Sequence, residues 1–180
     1  MRKSKESGYG SLLIELLICC VIGLTLLSGA LVSTQQLVVA GNENTAWQIL
    51  RALNKSEGFY YRVYGNGYVL PAVLANANGG AVGFVAPQSC DLPGLLGADY
   101  ASEATLPGPF DGYTFTFTPG VTLTSVGKGC TNSGYFSYTV TATPVNRGNQ
   151  TGMYFFTDQT GVVRYSTGGP ANATSPILNW

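Results

Sequence analysis

The sequence predicts an α+β fold, in which one long N-terminal helix packs on a small antiparallel β-sheet. Two patterns in the 180-residue chain carry this prediction. An apolar run from Leu12 to Val32 passes into a helix-periodic pattern that continues to about Glu57. After residue 110, four short segments rich in aromatic and β-branched residues have the composition and spacing of β-strands joined by turns.

The apolar run is long enough to cross a bilayer as a helix. Its 21 residues extend over about 32 Å at about 1.5 Å per residue, against a hydrocarbon core of about 30 Å. Arg2, Lys3 and Lys5 precede the run, and no basic cluster follows it directly. The positive-inside rule then places the N-terminus in the cytoplasm. We therefore expect a single-pass protein of the inner (cytoplasmic) membrane.

One carboxylate, Glu15, lies near the start of the apolar run, five residues after Gly10. The free energy of inserting a charged side chain at the centre of a bilayer helix is about 2.5–3.5 kcal/mol, and it is smaller near the end of the helix. The presence of Glu15 in the apolar run therefore calls for a functional explanation. Two interpretations that the residues alone suggest are a secretory signal cleaved at the small residues 28–30 and a plain membrane anchor. Neither accounts for the glycine, the glutamate, the basic flank and the length together.

The glycine, the apolar segment and the glutamate resemble the leader of type IV pilins and type II secretion pseudopilins, over roughly residues 2–33. The resemblance implies that a prepilin peptidase and methylase cuts between Gly10 and Ser11 and methylates the new amine of Ser11. It implies that Glu15 serves assembly and that the fold is pilin-like. It also implies that the chain polymerises with like subunits, alone or mixed with other pilins, into a type IV pilus or pilus-like filament. That filament would be periplasmic or extracellular.

The chemistry of the cut agrees with an assembly role for Glu15. Cleavage creates an α-amine with a pKa of about 7.7–8. In an apolar surround, that amine and a carboxylate cost less as a pair than separately. An amine that meets the Glu15 of a neighbouring helix would therefore fix the axial stagger between the two. The plainer interpretation is that Glu15 simply extends to the membrane interface.

Composition and turn signals divide the chain into five predicted segments. They are the leader 1–10, the N-terminal helix 11–57 with its transmembrane and assembly segment 12–32, an irregular αβ-type connecting loop 58–110, the antiparallel sheet 111–166, and a C-terminal tail 167–180. Val39, Ala46, Leu50 and Leu53 form the apolar stripe of the second half of the helix, and Gly58 is its predicted stop. We expect this stripe to cover the apolar face of the sheet.

Four segments are the predicted strands of an antiparallel meander of three or four strands. They are Tyr113–Thr118, Tyr135–Ala142, Met153–Thr157 and Val162–Tyr165. An aromatic zone between Trp47 and Tyr68 is interpreted as a seam between helix and sheet. Asp111 and Asp158 each lie beside a turn, where they shape the turn or, less in keeping with the acid-free tail, bind calcium.

The four cysteines fall into two pairs. Cys19 and Cys20 are adjacent in the apolar run, and about 100° apart on a helix, so we expect buried thiols without a bridge between them. Cys90 and Cys130 have 39 intervening residues, a spacing that matches no zinc motif. Outside the cytoplasm we expect them to form a disulfide, which would contribute about 3–4 kcal/mol in the chain-entropy model.

Charge and motif content exclude several classes of function. Without the leader, with its Arg2, Lys3, Lys5 and Glu6, the chain has six basic and eight acidic residues and a net charge of −2. No nucleic acid is therefore expected as a partner. The chain contains no histidine, and no phosphate loop or metal-ligand spacing, so we predict neither enzyme activity nor a cofactor. The prediction is a structural filament subunit. The alternative is a single-pass, membrane-anchored extracytoplasmic binding or adhesion module that does not polymerise.

Overall fold

The structure, a computed structural model, describes residues 7–74, 89–91, 93–96, 110–127, 129–145 and 152–179, with only the backbone for 7–13 and 22–36. The chain forms two compact units, Met1–Ala40 (the N-terminal unit) and Gly41–Trp180 (the head). The elements in chain order are α1 (Ser7–Tyr64), α2 (Pro71–Leu74), β1 (Tyr113–Pro119), β2 (Tyr138–Pro144), β3 (Tyr154–Asp158) and β4 (Arg164–Ser166).

The four strands form one antiparallel sheet with the order β1-β2-β3-β4, which confirms the predicted meander. The period-two pattern works as expected in β2, where Tyr138, Val140 and Ala142 are buried on one face. The predicted second strand begins three residues late, at Tyr138. Tyr135 instead pairs with Tyr68 and Thr122 through isolated bridges outside the sheet.

The part of α1 that lies in the head packs on this sheet through one apolar stripe. Ala46, Leu50 and Leu53 are buried in one cluster with side chains of β2 and β3. Each fully buried leucine contributes about 1.5–3 kcal/mol relative to an exposed one. The prediction that the stripe covers the apolar face of the sheet is confirmed for these three residues, whereas Val39, the fourth, is half-buried in the N-terminal unit and is not part of the cluster.

Polar contacts also join α1 to the sheet. Asn54 donates from Nδ2 to Oγ1 of Thr157 (2.7 Å) and accepts at Oδ1 from the hydroxyl of Tyr138 (2.9 Å). Glu43 accepts from the amide of Met153 (2.9 Å). Hydrogen bonds between half-buried groups contribute about 0.5–1.5 kcal/mol each and, more importantly, fix one orientation of helix on sheet.

The prediction that the helix stops at Gly58 is wrong. The helix continues through this residue and ends at Tyr64. Gly58 costs about 1 kcal/mol inside a helix. The next turn buries Tyr60, which is 1 % exposed, and aromatic burial outweighs that cost. The residue that ends the helix is Gly65, which has a positive φ of 60° and donates its amide to the carbonyl of Tyr61 (3.1 Å).

The predicted long helix with a membrane-spanning first half, and the pilin-like fold built on it, is wrong. Although the backbone of Ser7–Tyr64 is helical, no helix among the described residues is both long and apolar enough to cross a membrane. The longest part of α1 in which side chains are described without a break is 37–64, 28 residues, and together with the four-stranded sheet it makes the described fold α+β.

Two further segments of the head are ordered against this core. After α2, the amides of Leu95 and Leu96 both donate to the carbonyl of Leu74 (2.9 and 3.0 Å). The C-terminal tail runs beside β4, where the amide of Leu178 donates to the carbonyl of Val163 (2.9 Å). Most of the predicted connecting loop, at 75–88, 92 and 97–109, lies outside the described residues.

Candidate functional site

The predicted leader residues lie in the N-terminal unit. Gly10 and Ser11 have helical backbone, and the side chain of Ser11 is outside the described set. Glu15 is exposed. Around it, the described large apolar side chains are 50–66 % exposed. They are Ile14, Leu16, Leu17, Ile18 and Val21. The single chain therefore presents an apolar helical surface that carries one carboxylate.

The two cysteines of this segment are free thiols, as expected. The expectation that they are buried is wrong for the single chain, in which both Cys19 and Cys20 are exposed. Their neighbours on the helix are exposed as well, so no described part of the chain covers this surface.

The predicted disulfide between Cys90 and Cys130 is present in the head, with Cα atoms 4.9 Å apart. That separation lies within the usual range of about 4.4–6.8 Å for bridged cysteines. Next to the bridge, Asp91 accepts a hydrogen bond from the amide of Thr131 (3.0 Å). The hydroxyl and the amide of Thr131 hold the pKa of the Asp91 carboxyl below its usual value. The bridge and this contact tie two distant segments together.

A buried polar network, not foreseen from the sequence, extends from the disulfide into the head. Tyr60, buried in α1, donates its hydroxyl to Sγ of Cys90 (2.8 Å) and accepts from Nδ2 of Asn66 (3.2 Å). Asn66 also donates to the carbonyl of Asn132 (2.9 Å) and accepts from the amide of Gly127 (2.7 Å). Asn66 is 1 % exposed, and its amide links three chain segments. The sequence signal is its position between Gly65 and Gly67, both of positive φ.

A second unforeseen feature is a buried carboxyl group. Glu57 is fully buried in the head. Its Oε2 accepts from the amide of Val69 (3.2 Å), while Oε1 has no hydrogen-bond partner among the described atoms. Burial raises the pKa of Glu57 to about 8, although the bond from Val69 opposes the shift. Glu57 is therefore mostly protonated at pH 7. The signal in the sequence is its position four residues after Leu53, on the apolar stripe.

The aromatic zone has the structural role that was predicted. The ring of Tyr68 meets Tyr138 of β2 edge-on at 5.0 Å, and Phe117 stacks on the same ring at 5.4 Å. Trp47 carries the guanidinium of Arg51 over its ring at 5.2 Å. The ring of Tyr61 in α1 stacks on Tyr68 at 5.2 Å. Through Tyr68 the helix, the loop and the sheet are joined within the head, so the interpretation as a seam is confirmed.

Both predicted turn aspartates lie in turns. Asp158 accepts at Oδ1 from the amide of Thr160 (2.9 Å), which closes the β3–β4 turn. Asp111 has a φ of 41°, the positive φ that aspartate tolerates in turns. Among the residues that the structure describes, no three His, Cys, Asp or Glu side chains come together as metal ligands.

No family model, no curated protein and no solved structure matches this chain. The resemblance to pilins and pseudopilins therefore depends on residues 2–33 of the sequence alone.

Proposed function

We propose that this protein is a structural subunit of a type IV pilus or a related filament, cut after Gly10 and polymerised through its N-terminal segment. The observation that carries the proposal is the exposed apolar surface around Glu15 in the N-terminal unit. Contiguous exposed apolar surface in a folded chain marks an association site. The apolar side chains supply the free energy of association, and the carboxylate supplies its register.

Two further observations support a subunit that works outside the cytoplasm. The disulfide between Cys90 and Cys130 is typical of oxidising compartments. Its links to Asn66 and Asp91 support a rigid head, which suits a protein that is exported and then exposed on a filament. The prediction that the chain is not an enzyme stays a prediction.

The cut is tested by the intact mass of the protein from its host. A chain that starts at Ser11, with or without one added methyl group, supports the proposal. Gly10→Val should leave the leader attached, whereas Gly8→Val, a matched glycine change two residues earlier, should be processed normally. A start at Leu31 would identify a secretory signal peptide instead, and a start at Met1 a leader that is never cut.

Assembly is tested by shearing filaments from cells and measuring the subunit in the sheared fraction. Glu15→Ala should reduce this fraction at least tenfold while the total amount of subunit is unchanged. Glu43→Gln, a carboxylate change in the head, is the matched control and should assemble. If Glu15→Ala yields normal filaments, Glu15 does not set the register, and the binding module that does not polymerise becomes the better hypothesis.

A further inference from the structure

A cleft of about 410 Å³ opens in the head beside the disulfide. Its apolar side consists of Val69, Leu70 and Val73, from the segment that follows α1. The polar side consists of residues from two other segments, namely Asp91, Thr122, Asn132, Ser133 and Tyr135. The volume lies within the range of about 300–1,000 Å³ that is usual for small-molecule sites.

The walls of the cleft are held in place by bonds that do not involve its open side chains. Tyr68 and Tyr135 exchange two backbone hydrogen bonds (2.9 and 2.7 Å), which join the apolar wall to the polar one. The side-chain amide of Asn66 donates to the carbonyl of Asn132, and the disulfide of the adjacent Cys90 fixes the position of Asp91. A ligand would therefore meet a largely formed site, which lowers the entropy cost of binding.

The polar wall offers unused hydrogen-bonding groups. Within the described part of the chain, no residue bonds to the hydroxyls of Thr122, Ser133 and Tyr135 or to the side-chain amide of Asn132. Asp91 is engaged by the amide and the hydroxyl of Thr131 and by the backbone of Asn132, so its contribution to the cleft is its negative charge. None of the described residues that line the cleft is Lys or Arg. The cleft thus combines donors, acceptors and one carboxylate, without a cation.

We propose that this cleft binds a neutral sugar residue, such as the end of an uncharged glycan. A sugar ring has hydroxyl groups that both donate and accept, which match the mixed groups of the polar wall. Its C–H face is apolar and suits Leu70 and Val73. Because the described lining has a carboxylate and no cation, phosphorylated, sulfated or sialylated sugars are repelled. This activity goes beyond the filament and does not depend on assembly.

The test uses the full chain in detergent on an array that carries neutral hexoses, N-acetylhexosamines and their disaccharides, with sialylated and sulfated glycans for comparison. The best neutral glycan is then titrated by calorimetry. Asn132→Ala and Tyr135→Phe each remove one open polar group and should weaken binding about 3- to 10-fold, since a hydrogen bond contributes about 0.5–1.5 kcal/mol. Thr118→Ala, an exposed change on β1, is the matched control and should bind like the wild type.

Two results would overturn the proposal. One is an array on which neutral glycans give no signal, or a weaker signal than the anionic ones. The other is a double variant, Asn132→Ala with Tyr135→Phe, that binds as tightly as the wild type. Both substitutions leave the backbone bonds of these residues intact, and peptide mapping of the disulfide verifies the fold. Because the assay uses single chains, Glu15→Ala should bind normally, so failure here is distinguishable from failure of filament assembly.

Discussion

In the N-terminal unit, Ile14, Leu16 and Leu17 are each 63–66 % exposed, whereas in the head Leu50 and Leu53 are at most 1 % exposed. The chemistry of the side chains is the same, so the difference lies in what surrounds them. In the head, the sheet covers the helix and burial stabilises the fold of the single chain. Around Glu15, no described part of the chain supplies such a cover. The free energy of burying these side chains can therefore drive association with another molecule.

The largest expected effect separates the two units directly. Leu50→Ala should lower the free energy of unfolding of the head by about 3–5 kcal/mol, because it leaves a cavity in a packed core. Leu37→Ala is the matched control, since Leu37 is 72 % exposed in the N-terminal unit, and should change it by less than about 0.5 kcal/mol. Urea unfolding followed by near-UV circular dichroism measures both. Equal losses would show that the N-terminal unit shares the core of the head.

The disulfide provides the next effect. Cys90→Ser with Cys130→Ser should destabilise the head by about 2–4 kcal/mol, because the cross-link limits the unfolded chain. Cys19→Ser with Cys20→Ser should leave the stability of the head unchanged, because these free thiols belong to the other unit. Thermal unfolding with and without a reductant gives the comparison. A wild-type head that melts at the same temperature in both conditions would contradict this contribution.

A smaller effect comes from Glu57 and depends on pH. Its pKa rises from 4.5 to about 8 on folding, so the folded chain binds a proton that the unfolded chain has released between these values. The stabilisation is complete below about pH 4.5 and is lost as the pH rises toward 8. From pH 5.5 to 7.5 the loss is about 2 kcal/mol.

Glu57→Gln removes the proton equilibrium and keeps the shape. The variant should therefore lose less stability than the wild type between pH 5.5 and 7.5. Asp158→Asn, a change at the half-buried end of β3 that leaves Glu57 in place, is the control, and its stability should depend on pH more steeply than that of Glu57→Gln. Urea midpoints at three pH values measure the slopes. If the wild type and Glu57→Gln have parallel pH profiles, the carboxyl group is not neutral in the folded head.

The sheet and the stripe were predictable because their signals are local. β2 alternates buried and less buried residues with period two, and Ala46, Leu50 and Leu53 recur at helical spacing. The disulfide was predictable because it joins the only two cysteines of the polar region. The helix end was not, because the burial of Tyr60 by residues far along the chain overrides the local cost of Gly58.

The candidate site was predictable only in part. Gly10 and Glu15 form a pattern in a short stretch of sequence, so they could be singled out without a structure. The network of Asn66 and the burial of Glu57 depend on partners 6 to 66 residues away. The cleft combines three segments that share no sequence pattern. Such features follow from the packing of the head. The glycines beside Asn66 and the position of Glu57 on the apolar stripe mark these two residues in the sequence, but they do not identify the partners.

The C-terminal tail has a consequence for the handling of this protein. Ile177 forms an isolated β-bridge with Arg164, and the amide of Leu178 donates to the carbonyl of Val163. The tail therefore covers the outer edge of β4. A shortened chain that ends before Ser175 would expose unpaired backbone N–H and C=O groups on β4. An exposed edge strand of this kind can pair with strands of other molecules. Recombinant versions trimmed at this end should therefore precipitate, and purification tags are safer when the last residues are kept.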